Sequence, residues 1–344
     1  MRSLVLPIIV LISTFMLNAC NAPISETEYL SEAQSYISSD ELGAAVITLK
    51  NALKEYPNSQ AARLLLGAVY LDLGNWAEAE KELARARELG VPAETVVPVL
   101  AQSLLLQGKL DDVLALPIAP ELPASARSDL HASRTFALLD QGELEAAVEE
   151  YGRAEDTGIL SPHLSLAKAR LLASQGDLDS ATALLNAELQ EHPDYVPAWS
   201  LLGDILDYRG ELEKAELAYS NAIERGHSKY PDLLKRSRVR LALKKFVEAE
   251  QDLRLLKDRY ENNPVISQLE GILHFQQGRY AEAQPYFEVA LSKQPDDLAA
   301  TYYLGACHFK LGNYESALAY LRVVNQARPD HYSAAKMLAA ILSQ

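Results

Sequence analysis

Residues 71–80 read LDLGNWAEAE and residues 309–318 read FKLGNYESAL. In each, a glycine closes one amphipathic stretch and an aromatic opens another two residues later. Gly74 and Gly312 are separated by seven steps of 34 residues, and the intervening steps fall on Gly108, Gly142, Gly176, Gly210, Lys244 and Gly278. One exception in eight positions makes a repeat of period 34 the organising fact of this chain.

Two further columns share the period. Five residues after the glycines stand Ala45, Ala79, Val113, Ala147, Ala181, Ala215, Ala249, Ala283 and Ala317, small side chains that let helices approach closely. Two residues after the glycines stand Trp76, Leu110, Leu144, Leu178, Leu212, Phe246, Tyr280 and Tyr314, which the pattern assigns to the core. Between the columns the apolar spacing is helical, as in Leu65, Val69 and Leu73, then Trp76, Ala79, Leu83 and Ala86. Glycine takes the left-handed conformation that closes a helix, so each one ends the first helix of a pair. At Lys244 a left-handed cap costs about 1–2 kcal/mol, or the turn changes shape. Pro57, Pro193, Pro295 and Pro329 share a fourth column and stop the second helix. These features predict an all-α chain of helix–turn–helix units.

A unit of 34 residues built this way resembles the tetratricopeptide repeat. The segment WSLLGDILDYRGELEKAELAYSNAI carries the resemblance, with Trp199, Leu202, Gly203, Gly210, Ala215, Tyr219 and Ala222 at the family's positions. The family implies a right-handed superhelical solenoid. The register predicts nine units over residues 26–331 and a partial tenth, the capping helix, over 332–344. In the third unit, 94–127, Pro117, Pro120 and Pro123 interrupt the second helix, which is therefore expected to be short, either as a hinge or as a degenerate repeat.

Length and composition fit a folded chain with a sizeable core: 344 residues, 49% hydrophobic and 23% charged. A formal net charge of -15 argues against nucleic acid, whose phosphates require clustered Lys and Arg. The N-terminal run from Leu4 to Leu17, preceded by Arg2, is too short to span a bilayer and fits a signal-peptide core over residues 1–19. LNAC, Leu17–Cys20, resembles the lipobox of bacterial lipoproteins. The resemblance implies that Cys20 is lipidated and that residues 20–25 form a tether. With Asn21 after the cysteine, it also implies the periplasmic face of the outer membrane.

No catalytic signature is present: GxSxG, HExxH, CxxC and GxxxxGK[ST] are all missing. An enzyme is not expected, nor a cofactor or metal. His274 and His308, one period apart, read as packing substitutes for an aromatic. Cys307 reads as a buried thiol. Acids and bases in EKELARARE, residues 80–88, suit a solvated face with internal ion pairs. Family geometry brings Phe136, Arg170, Asp204, Tyr208, Arg238, Phe275, Tyr302 and Phe309 onto a concave groove formed by the first helices. Arg170, Asp204 and Arg238 form a column of alternating sign, either a ladder of ion pairs or a binding strip. The aromatics toward the C-terminus suit an extended peptide or a helix. The basic and Asn clamp of chaperone-tail-binding relatives is not reproduced.

Residues 29–109, and ELGVPAETVVPVLAQSLLLQGK within them, resemble the N-terminal part of tetratricopeptide lipoproteins of exosortase and PEP-CTERM sorting systems. Those proteins are associated with exopolysaccharide production loci. The resemblance implies a lipid-anchored scaffold whose partners are envelope proteins, with direct polysaccharide contact open. The alternatives are a scaffold for cell-wall hydrolases or outer-membrane assembly and, from a different class, a glycan-processing enzyme.

Overall fold

The computed structural model describes residues 24–260 and 263–343. The leader and Cys20 lie outside the described residues. The described chain is all-helical: α1 (Glu26–Ser38), α2 (Leu42–Glu55), α3 (Gln60–Asp72), α4 (Trp76–Glu88), α5 (Ala93–Leu106), α6 (Leu110–Ala115), α7 (Ala124–Gln141), α8 (Leu144–Glu155), α9 (Pro162–Ser174) and α10 (Leu178–Glu191). It continues with α11 (Val196–Tyr208), α12 (Leu212–Arg225), α13 (Tyr230–Ala242), α14 (Phe246–Arg259), α15 (Pro264–Gln276), α16 (Tyr280–Lys293), α17 (Leu298–Lys310), α18 (Tyr314–Ala327) and α19 (Tyr332–Leu342). These helices form two compact units that divide between Gln107 and Gly108. Within each unit, successive helices pack as helix–turn–helix pairs in a solenoid. The third unit's second helix, α6, has six residues and stops before Pro117.

The turns explain the glycine column. Its seven glycines have φ between 71° and 85°. At Gly210 the turn closes with two hydrogen bonds, Gly210 N–H to the Asp207 carbonyl and Glu211 N–H to the Leu206 carbonyl, both 2.9 Å, which satisfy carbonyls at the helix end. Lys244 adopts the same turn, with φ 59° and Lys245 N–H 2.8 Å from the Arg240 carbonyl. Asp40, one period before Gly74, is left-handed as well, with φ 61°. Because a side chain costs energy in this conformation, Lys244→Gly is expected to stabilise α13–α14 by about 0.5–1 kcal/mol, net of the added freedom of the unfolded glycine. Slower amide exchange in those helices is the measurement. Unchanged or faster exchange would show that the turn stores no strain.

The alanine column is buried in the core throughout, Val113 included. Opposite it lies a pairing that the sequence columns did not isolate. Gly67, Gly203, Gly271 and Gly305 sit sixteen residues before Leu83, Tyr219, Phe287 and Leu321, and a Cβ at Gly203 would lie 2.5 Å from the Tyr219 ring. A missing side chain on the first helix thus admits a bulky one from the second. Tyr219 belongs to the same buried cluster as Leu185, Leu202, Leu206 and Val239, so one core is shared by consecutive pairs.

The column from Trp76 to Tyr314 corrects the expectation of core burial. Its residues are half-buried, and Tyr314 is exposed. Each opens the second helix of a pair, or for Leu110 the short α6, immediately after the turn; there the side chain covers the rim of the core.

Charged residues replace part of this core in α12–α14. Asp252 is 1% exposed and receives Arg236 through two hydrogen bonds of 2.6 and 3.0 Å and Arg240 through one of 2.8 Å. Arg240 also donates to Glu216 at 2.9 Å, and Lys245 donates to the same carboxylate at 2.5 Å. Burial alone disfavours the charged Glu216, but the Lys245 and Arg240 hydrogen bonds outweigh it and hold the carboxyl below the usual range. The Arg134–Glu150 contact of 3.6 Å stands at the Arg236–Asp252 register three units earlier.

Candidate functional site

Asp204, Asp207 and Tyr208 come from the C-terminal half of α11, and Arg238 from the equivalent stretch of α13. Helical spacing places Asp204, Asp207 and Tyr208 on one face, and the four side chains line an open depression of about 340 Å³. Tyr208 is 83% exposed at the end of its helix. The Asp204 carboxylate accepts from Tyr219 Oη at 2.8 Å and from Lys235 Nζ at 2.7 Å. Arg238 pairs with Asp207. Burial, and after it the Asp204 charge, pushes the Tyr219 hydroxyl well above its usual range, so it remains a hydrogen-bond donor.

The column Arg170, Asp204, Arg238 is not a ladder of mutual pairs. Each member instead pairs with a residue 30 or 31 positions away: Arg170 with Asp140, Arg238 with Asp207, and Asp204 with Lys235. Arg209 and Asp179, 2.8 Å apart, repeat the step. In every case the acid belongs to the preceding first helix or the second helix that follows it, so the pairing runs diagonally across neighbouring helices. Asp207 and Lys235 were the members missed. Asp207 could have been found as the residue one helical turn after Asp204.

Phe136 is not an open groove position. It is 5% exposed, edge-on to His163 with ring centroids 5.2 Å apart, and Arg170 lies 5.6 Å from its centroid. Burial pushes the His163 imidazole down to about 4, so it is neutral beside Ser133, whose Oγ lies 3.2 Å from Nε2.

The remaining aromatics form a run on α15 and α17. Phe275 stands edge-on to Tyr280 and Tyr303, each with centroids 5.2 Å away. Tyr302 meets Tyr303 and lies 4.5 Å from the His331 ring, and Phe309 packs at 5.9 Å from Tyr314. All three predicted residues are half-buried. Among the described residues, Tyr208 makes no ring contact with them. His274 and His308 lie flat against Tyr286 and Tyr320, with interplanar angles of 15° and 4°. Cys307 is buried, and its thiol is pushed up to about 12. Among the described residues, no cluster of His, Cys, Asp or Glu is placed to hold a metal, and no helix is long and apolar enough to cross a membrane.

Models of the tetratricopeptide repeat match residues 36–94 and 274–342, and residues 162–205, together half of the chain. The chain belongs to the tetratricopeptide-repeat family. Among curated relatives, TPR repeat-containing protein YpiA of Bacillus subtilis is 29% identical over 160 residues, 46% of this chain, and the match spans 37% of YpiA. A solved structure from the functional characterisation of Pseudomonas aeruginosa pilF has a TM-score of 0.55 at 15% identity, covering 63% of this chain and 99% of that one. A tetratricopeptide-repeat protein from Parabacteroides merdae has a TM-score of 0.48 at 15% identity, covering 83% and 99%. The pilF structure is similar in fold alone. A repeat array of this family is typically a non-catalytic scaffold for protein–protein interaction.

Proposed function

We propose that this tetratricopeptide-repeat protein is an interaction scaffold, lipid-anchored through Cys20 at the periplasmic face of an outer membrane. There it holds envelope proteins that serve exopolysaccharide production or PEP-CTERM-type protein sorting. The observation that carries the binding role is the half-buried aromatic run Phe275, Tyr303, Tyr302 and Phe309 on two successive first helices. Half-buried aromatics combine a fixed geometry with apolar area still available to a partner, as at interface hot spots. The lipobox-like LNAC supports the anchor, and residues 29–109 support the setting.

Two arms test this proposal. Acyl chains contribute about 0.8 kcal/mol per buried methylene, so Cys20→Ala should move the protein from the membrane to the soluble fraction. Retention on membranes in high salt would overturn the anchor. Crosslinking in whole cells should capture polysaccharide-export or sorting components, and Tyr302→Ala should weaken the affinity behind that capture about thirtyfold or more, since hot-spot truncation costs about 2 kcal/mol or more. Capture of cell-wall hydrolases instead would favour the alternative scaffold.

A further inference from the structure

We infer that the depression formed by Asp204, Asp207, Tyr208 and Arg238 is a binding site for a neutral polysaccharide chain. It lies apart from the aromatic run assigned to protein partners, and the inference does not depend on that assignment.

Charge comes first. The two carboxylates of the depression are matched by two cations, Arg238 on Asp207 and Lys235 on Asp204. A strongly anionic or cationic ligand therefore meets no net opposite charge, and the counterion release that drives nucleic-acid binding has no free cluster of cations behind it. A neutral ligand fits the balance.

Hydrogen-bonding capacity comes second. Among the described residues, the pairing of Arg238 with Asp207 is the only side-chain hydrogen bond of either group. A guanidinium has five N–H donors and a carboxylate accepts at two oxygens, so both retain capacity after pairing. A donor-rich and an acceptor-rich group, held side by side by their own ion pair, present the complement of two adjacent hydroxyls, each of which donates and accepts. Asp204 is already engaged by Tyr219 and Lys235, which fixes its position.

The third element is Tyr208, a residue 83% exposed beside these groups. It offers an apolar face with a polar tip. A pyranose ring combines the same two features, with C–H bonds on its faces and hydroxyls around its edge. At about 340 Å³ the depression is at the lower end of small-ligand sites, the size of a short stretch of a chain rather than of a large ligand. The lining residues form no apolar pocket that would grip a peptide side chain, and the paired Arg238 and Asp207 offer no net charge to a peptide terminus. These facts favour the glycan over a peptide.

Affinity electrophoresis of the full chain in gels containing dextran or hydroxyethyl cellulose tests the site, with alginate as the anionic control. A neutral polymer should retard the protein, and retardation should persist in high salt. Tyr208→Ala should weaken the apparent affinity about tenfold, as expected for loss of an aromatic contact. Its helical circular dichroism should be unchanged, because the residue is exposed. Arg238→Gln, which keeps one amide donor group and loses the fork, should weaken it less. Tyr302→Ala should leave it unaltered, so the glycan site and the protein-partner site fail separately. The inference is overturned if neither neutral polymer retards the chain or if Tyr208→Ala binds as well as the parent. It is equally overturned if only alginate binds, in a salt-dependent manner, or if Tyr208→Ala abolishes protein capture while leaving glycan retardation intact.

Discussion

Asp252→Ala is expected to destabilise α12–α14 by about 3–5 kcal/mol, the cost of leaving buried charges without their partner. Asp252 is almost wholly inaccessible, and its carboxylate is the shared acceptor of Arg236 and Arg240. After truncation Arg236 retains only the neutral Ser220 Oγ at 3.0 Å and loses its buried counter-charge, whereas Arg240 keeps Glu216 and loses one of its two carboxylate partners. Repeat arrays need not unfold in one step, so the loss should be read as faster amide exchange in these helices rather than from a global midpoint. A companion variant separates charge pairing from packing. Arg236→Leu, Arg240→Leu and Asp252→Ala together install the residues that the preceding unit carries as Leu202, Leu206 and Ala218. Replacing a buried ion network by apolar side chains is commonly neutral or stabilising by about 1–4 kcal/mol. If the triple variant were as unstable as Asp252→Ala alone, the network would be indispensable to this unit rather than one of two ways to fill it.

Phe287→Ala is expected to cost about 3–5 kcal/mol through lost burial and the cavity left behind. Phe287 is fully buried and stacks on Tyr303 at 5.3 Å and 5°. Across the helix pair it faces Gly271, where a Cβ would come within 2.7 Å of the ring. Glycine has no side chain with which to fill the space, so relaxation is limited and the loss should lie toward the upper end. Because Tyr303 links Phe287 to Phe275 and Tyr302, the change should also weaken partner capture. Chemical denaturation followed by amide exchange in α15–α18 is the check. A loss below about 1 kcal/mol would mean that the pair collapses without the ring, and that its small-to-large fit matters little.

Much of the architecture was legible because the repeat samples the same physical constraint several times. A left-handed turn excludes most side chains, so glycine recurs at Gly74, Gly108 and Gly142, and the period emerges without any structure. The closest helix approach likewise selects alanine. The fit of Gly203 to Tyr219 was less visible, because neither position keeps one residue type along the repeat. At the same register Ala169 stands opposite Leu185, and Ser237 opposite Leu253.

The candidate sites were legible as positions and illegible as interactions. Groove numbering brought Asp204, Tyr208 and Arg238 to one depression, but it also proposed Phe136, which Arg170 and His163 cover. The alternating Arg170, Asp204, Arg238 column suggested neighbours in register, whereas each charge found its partner in another column, at Asp140, Lys235 or Asp207. Long side chains choose among several charges within reach, and that choice depends on the stagger of one helix pair on the next.

By itself, then, the amino-acid sequence determined the period, the helix–turn–helix unit, the left-handed turns and the identity of the tightest contact column, because these follow from backbone sterics and side-chain size acting locally. The tertiary structure alone decided which charges are buried, as at Asp252, which aromatics are covered, as at Phe136, and which remain open, as at Tyr208. Burial and charge pairing are properties of what the adjoining helices bring alongside, and residues with the same spacing along the chain receive different neighbours from each pair.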